Sequence, residues 1–208
     1  MLKLPMMLAY FKEAEVNLGI LEKQIIFNLE LPKTNYYFKP EKEIEKGKSY
    51  GVYELLNAMI TKSDNNAGNL LHVFLGKEKA EMVFRDLNLP VPSPKDFLTV
   101  KDYSVFYRVL FEGSYIDKEF SENALHILKN TDFKNGLAAG IADDLPIAHK
   151  FGELRGSNGQ LNQLHDCGIV YYPEKPYLIC VMTKGSDFEK LAEVIQGISL
   201  IAYRQMNN

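Results

Sequence analysis

The sequence predicts an α+β fold, with helices first and an antiparallel sheet after them. Three observations predict it. Apolar residues recur at helical spacing in several segments up to about residue 140. Beyond Gly136 and Gly140, the short β-rich runs 145–150, 165–172 and 177–183 are separated by turn residues and read as antiparallel strands. Residues 187–205 then close the chain as a helix, with Leu191, Val194, Ile195 and Ile198 facing inward. Helices followed by strands form the α+β pattern. The 208 residues read as a single domain, 1–208, helical to about residue 140 and sheet plus terminal helix from about 141. That length suffices for a sizeable core.

Leu4 to Glu15 is apolar, then charged, and reads as a helix. Pro5 is tolerated only near a first turn, so this helix begins at about the chain start. Residues 25–38 are mixed and extended, with Pro32 and Pro40 as breaks. Gly47-Lys48-Ser49-Tyr50 leads into a helix whose inner face is Val52, Leu55, Leu56, Met59 and Ile60. Ala67, Leu70, Leu71, Phe74 and Leu75 repeat the pattern, and Gly76 is placed to cap that helix. Residues 77–87 form a further short helix, and the proline-rich stretch 88–97 reads as a loop. Thr99-Val100-Lys101-Asp102 resembles a capping box and opens a helix to about Phe111. Another helix covers 117–129.

Composition excludes some functions. Hydrophobic residues are 46% and charged residues 25%, an ordinary globular balance. A formal net charge of −3 argues against a nucleic-acid platform. No apolar run reaches the ~18 residues of a membrane span, and the N-terminus lacks a secretory signal pattern. The four histidines are scattered without metal-ligand spacing and read as structural, so neither metal nor cofactor is expected. Cys167 and Cys180 lie in two apolar runs joined by Pro173-Glu174-Lys175-Pro176. If Tyr172 faces Tyr177 across that turn, the cysteines are diagonal neighbours. Diagonal positions, roughly 7–8 Å apart or a little less, are too far for a bridge, so two buried thiols are expected.

Three short segments carry the chemistry. They are Lys3 in Met1-Leu2-Lys3-Leu4-Pro5, then Ser63-Asp64-Asn65, then His149-Lys150-Phe151-Gly152. In isolation each has a plain reading: a helix-start lysine, a helix boundary of capping residues, and a strand-end lysine. In this order they match the S-x-x-K, S-D-N and K-T-G set of serine acyltransferases. The second element is complete, the third is altered, and the first has its lysine while the serine position falls one residue before Met1. The chain resembles the penicillin-recognising serine hydrolases, which include class A β-lactamases and penicillin-binding proteins. Thr131-Asp132-Phe133-Lys134-Asn135-Gly136 and Leu164-His165-Asp166-Cys167-Gly168-Ile169-Val170-Tyr171 extend the likeness over the whole chain.

The resemblance implies an antiparallel sheet flanked by helices plus an all-helical lobe, with the two N-terminal strands of the family sheet missing and a sheet edge left uncovered. It implies that Lys3 is the base for the attacking serine, that Ser63 relays a proton to the leaving group, and that Asn65 bonds the substrate's amide carbonyl. It implies that Lys150 faces the substrate carboxylate and Ser63, that Gly152 admits substrate backbone, and that the N–H of Glu153 serves the oxyanion hole. The substrate would be a small-molecule β-lactam or a peptidoglycan D-alanyl peptide, and the full-length parent would be extracytoplasmic, at the periplasm or cell surface.

Two departures matter. Phe151 stands where the family has a hydroxyl that helps hold the substrate carboxylate. The stretch 88–100 lacks the E-x-x-L-N pattern whose glutamate activates a deacylating water. The rival readings are a non-catalytic module that keeps the fold and cleft, and a fragment completed by an upstream segment or a second chain.

Overall fold

The computed structural model describes residues 2–31, 36–93, 98–156 and 160–207, apart from the side chain of Leu18. Pro32 and the 94–97 part of the expected loop lie outside these residues. Two compact units are built from them, the first from the described residues of 2–31 and 40–127, the second from those of 36–39 and 128–207.

The first unit is mainly helical. Helix α1 (Lys3–Ala14) has Pro5 in its first turn and buries Leu4, Met7, Leu8, Tyr10 and Phe11 completely. A helix buried on nearly every face belongs in the middle of a bundle, and α1 packs against α2 (Val52–Thr61), α3 (Asn65–Leu75) and α4 (Lys77–Asp86). The Tyr10 hydroxyl donates to the Leu71 carbonyl at 2.7 Å, which satisfies the one polar atom of that side chain inside the core. The inner face of α2 is Val52, Leu55, Leu56, Met59 and Ile60, as its spacing requires. On α3, Ala67, Leu70, Leu71 and Leu75 are buried, but Phe74 is 40% exposed and leaves the expected stripe. Gly76, with φ of 87°, ends α3 in a backbone conformation that favours glycine. Thr99 and Asp102 form the reciprocal capping box of α5 (Val100–Glu112), with N–H to oxygen distances of 3.1 and 2.9 Å. Helix α6 (Lys118–Lys129) follows, and Phe120 on it stacks on Phe11. Strand β1 (Gln24–Ile26) pairs antiparallel with β2 (Ser49–Gly51), so among the described residues of the extended stretch expected at 25–38 only the first form a strand.

The second unit holds an antiparallel sheet of order β3-β4-β5 (Ile147–Leu154, Asn162–Val170, Tyr177–Gly185) and the closing helix α7 (Phe188–Met206). Asp187 caps α7 by accepting the N–H groups of Glu189 and Lys190. Phe188, Leu191, Ala192 and Ile195 of α7 join Ile147, Phe151, Leu164, Val170 and Val181 of the sheet in one core. Val194 and Ile198 do not face inward as the spacing suggested. They are 50% and 42% exposed and, with Ile201, form a second apolar stripe. Helical periodicity alone could not rank the two stripes. Among the described residues, no strand pairs with the outer edge of β5.

The hairpin register corrects the cysteine expectation. A β-turn closes within the connection, with the Lys175 N–H on the Tyr172 carbonyl at 3.1 Å and Glu174 left-handed. Strand pairing therefore starts further out, with Val170 opposite Tyr177, and Cys167 falls directly opposite Cys180. The two are joined as a disulfide, not buried as separate thiols. Neither cysteine should react with a maleimide in non-reducing denaturant. Reduction should lower unfolding free energy by about 3 kcal/mol for a loop of this size, read by urea denaturation. Two reactive thiols before reduction would contradict the pairing.

Candidate functional site

In the first unit the site is built at the junction of α2 and α3. Asp64 caps α3, and its carboxylate is 1% exposed. One oxygen accepts the Ala67 N–H at 2.9 Å; the other accepts the Ile44 N–H at 2.7 Å. The aspartate therefore fixes the helix start and pins the 43–44 segment beside it. Ser63, just before this cap, has φ of 55°. A left-handed serine is strained by roughly 1–2 kcal/mol, and such strain collects at functional positions.

Lys3, the first residue of α1, meets this turn from 60 residues away. Its Nζ donates to the Ser63 hydroxyl at 3.0 Å and also to the Ser63 carbonyl. Its stem passes beside Gly68, where a side-chain carbon would stand 3.8 Å from Lys3 Cε and 3.6 Å from Met59. Asn65 follows as the first residue of α3, half-buried. Sequence reasoning missed Glu43. Asn66 Nδ2 donates to its carboxylate at 3.4 Å. Burial, then the Asp64 charge, push the Glu43 carboxyl above its usual range, against the pull of Lys3. Its charged neighbourhood, Lys39 to Lys48, gave no signal beyond a polar loop.

The second unit carries Lys150, Gly152 and Glu153 on β3. Lys150 is fully buried, with its Nζ 4.2 Å from the centre of the Phe151 ring. On the opposite face of the strand, His149 is fully buried and bonds Asp166 on β4, Nδ1 to carboxylate at 3.0 Å. Asp166 also accepts the Leu137 N–H at 3.0 Å. Gly168 stands opposite His149, and any side chain there would collide with it. Phe151 is 6% exposed and stacks on Phe133 at 4.0 Å. The residue that replaces the expected hydroxyl is thus part of the core. Glu153 does more than offer its N–H: its carboxylate accepts the N–H groups of Tyr37 and Phe38 at 2.7 and 3.1 Å. Among the described residues, no group of three or more His, Cys, Asp or Glu could hold a metal ion.

The profile of the beta-lactamase enzyme family matches residues 1–206. The chain belongs to the beta-lactamase enzyme family. By family and fold it is a β-lactamase-like hydrolase. No curated protein sequence matches it. Its α+β architecture is the β-lactamase/transpeptidase fold, shared with PBP-A at a TM-score of 0.80 and 22% identity, over 99% of this chain and 79% of that one. The beta-lactamase from Sphaerobacter thermophilus DSM 20745 gives 0.81 at 19% identity, over 99% and 81% of the two chains. A class A beta-lactamase from Bacteroides cellulosilyticus DSM 14838 gives 0.83 at 18%, over 99% and 82%. No helix among the described residues of this family member is long and apolar enough to cross a membrane.

Two predictions follow from these side chains. Asp64→Ala should destabilise by about 2 kcal/mol, since it removes a cap and leaves buried N–H groups without acceptors; urea unfolding measures it, and a change under about 0.5 kcal/mol would contradict the role. His165 on β4 is pushed down to about 4 by burial, and it accepts the Thr183 N–H through Nδ1 at 3.2 Å. Between that value and the unfolded value of about 6.5, the unfolded chain binds the extra proton. Stability from this group is therefore complete above about pH 6.5 and lost as pH falls toward about 4. Melting curves across that window should show a smaller loss for His165→Gln than for the parent; equal losses would contradict it.

Proposed function

We propose that this chain supplies the proton relay and substrate strand of a serine hydrolase acting on an amide, either a β-lactam or a D-alanyl peptide, through an acyl-serine intermediate. The observation that carries the reading is the 3.0 Å contact between Lys3 Nζ and Ser63 Oγ, made across 60 residues. An amine beside a hydroxyl at a half-buried helix junction is the arrangement that proton relay needs. In the proposed reaction a serine oxygen bonds to the amide carbon, the C–N bond breaks, and the serine proton passes through Lys3 and Ser63 to the leaving nitrogen. Asn65 bonds the substrate carbonyl, Lys150 supplies the cation for its carboxylate, Gly152 admits its backbone, and the Glu153 N–H serves the oxyanion.

The attacking serine would lie three residues before Lys3, outside residues 1–208, so these residues alone would not be acylated. A non-catalytic module that keeps the cleft is the second reading, favoured by the packing of Phe151 into the core. The outer edge of β5, with no paired strand among the described residues, and the exposed Val194, Ile198 and Ile201 support completion of the second unit by an upstream segment or a second chain. An extracytoplasmic location suits the disulfide.

A fluorescent penicillin is a suitable probe, since a PBP-A variant forms an acyl-enzyme complex with penicillin G. Intact-mass measurement should find no adduct on residues 1–208. Extension through the upstream segment should raise the melting temperature and give a stoichiometric adduct that is slow to reverse. An adduct on residues 1–208 would contradict this and point to Ser63 as nucleophile. An unlabelled extended chain would favour the binding module.

A further inference from the structure

Residues 36–39 reach the second unit from a distant part of the chain. They are held there at two kinds of contact. The polar contacts centre on Glu153, whose two carboxylate oxygens each take one of the successive N–H groups of Tyr37 and Phe38. The Tyr37 hydroxyl donates to Glu189 on α7 at 2.6 Å. The apolar contacts are rings. Tyr37 stacks on Phe188 at 5.0 Å, and Phe38 sets its ring against Phe133 at 4.9 Å and Phe151 at 6.1 Å.

Two of these anchors, Phe151 and Glu153, lie in the second half of β3, an edge strand paired only with β4 among the described residues, and Phe133 stacks on the first of them. Phe151 and Glu153 flank Gly152, and both hold the segment. The polar half of the attachment is open to water: Tyr37 is 40% exposed and Glu153 only half-buried. Charge-assisted bonds in such a place hold a segment yet exchange with solvent, which puts it at the low-stability end of the molecule.

We propose that residues 36–39 form a latch over the end of β3, with the Glu153 side chain as its catch and Phe38 as its plug, which must lift before a ligand reaches that edge. Glu153 is thereby a gating residue through its carboxylate, separate from any role of its backbone. The choice of ligand rests on the substrate reading above; the existence of the latch does not.

Hydrogen exchange read by NMR tests the latch directly. The Tyr37 and Phe38 amides should be protected in the parent. Glu153→Ala should speed their exchange by about tenfold or more, with β4 amides unchanged. Phe38→Ala should do the same for Tyr37. Unprotected amides in the parent, or exchange unaltered by both substitutions, would overturn the latch. Benzylpenicillin then tests gating: non-covalent binding, followed through β3 amide shifts, should tighten by about tenfold in both variants. Equal binding by parent and variants overturns the gate and leaves the substrate reading intact. No binding by any of the three, with latch exchange as expected, overturns the substrate reading and the gate for this ligand while the latch itself stands.

Discussion

One buried carboxylate organises the first unit's site. Asp64 satisfies the start of α3 and the Ile44 N–H at once. Ser63 is left to turn through a left-handed conformation immediately before the cap. That turn sets both its carbonyl and its hydroxyl where Lys3 can reach them. Lys3 in turn is placed by α1, whose buried Leu4, Met7 and Leu8 fix the helix in the bundle. Helix capping, backbone strain and core packing thus converge on one amine–hydroxyl pair, and loss of the cap would release all three.

The second unit shows the same economy around β3. Alternation along the strand sends His149 and Phe151 to one face and Lys150 to the other. On the first face the imidazole is paired with Asp166, and the absence of a side chain at Gly168 makes room for it. Phe151 stacks on Phe133, so the strand gains core packing where the resemblance implied a substrate-holding hydroxyl. A residue that packs this way cannot be exchanged for a hydroxyl without leaving a cavity. The departure from the family pattern is therefore built into the core of the unit and is not a surface variation.

What the sequence made legible was mostly local. The Thr99–Asp102 box, the face of α2 and that of α3 apart from Phe74 depend on residues close to one another along a helix. The Lys3–Ser63 contact spans 60 residues and was legible only because three motifs occurred in family order. The misses share a cause. The hairpin register depended on where one turn hydrogen bond closed, and it moved Cys167 opposite Cys180. The inward face of α7 depended on which of two apolar stripes the sheet would cover. The Glu153 carboxylate was assigned no contact because its partners, Tyr37 and Phe38, lie over a hundred residues away. The placement of Glu43 beside Asn66 and Asp64 had no local signature at all.

Lys3 and Ser63 are hydrogen-bonded in the folded chain, and amine acetylation at trace reagent, with each lysine read by peptide mass spectrometry, measures that bond. A half-buried amine donating to a hydroxyl and a carbonyl should react about tenfold more slowly than exposed lysines such as Lys77 and Lys118. Ser63→Gly, which keeps the left-handed turn but removes the hydroxyl, should raise the Lys3 rate while leaving Lys77 and Lys118 unchanged. A Lys3 that reacts as fast as those exposed lysines in the unsubstituted protein would contradict the account.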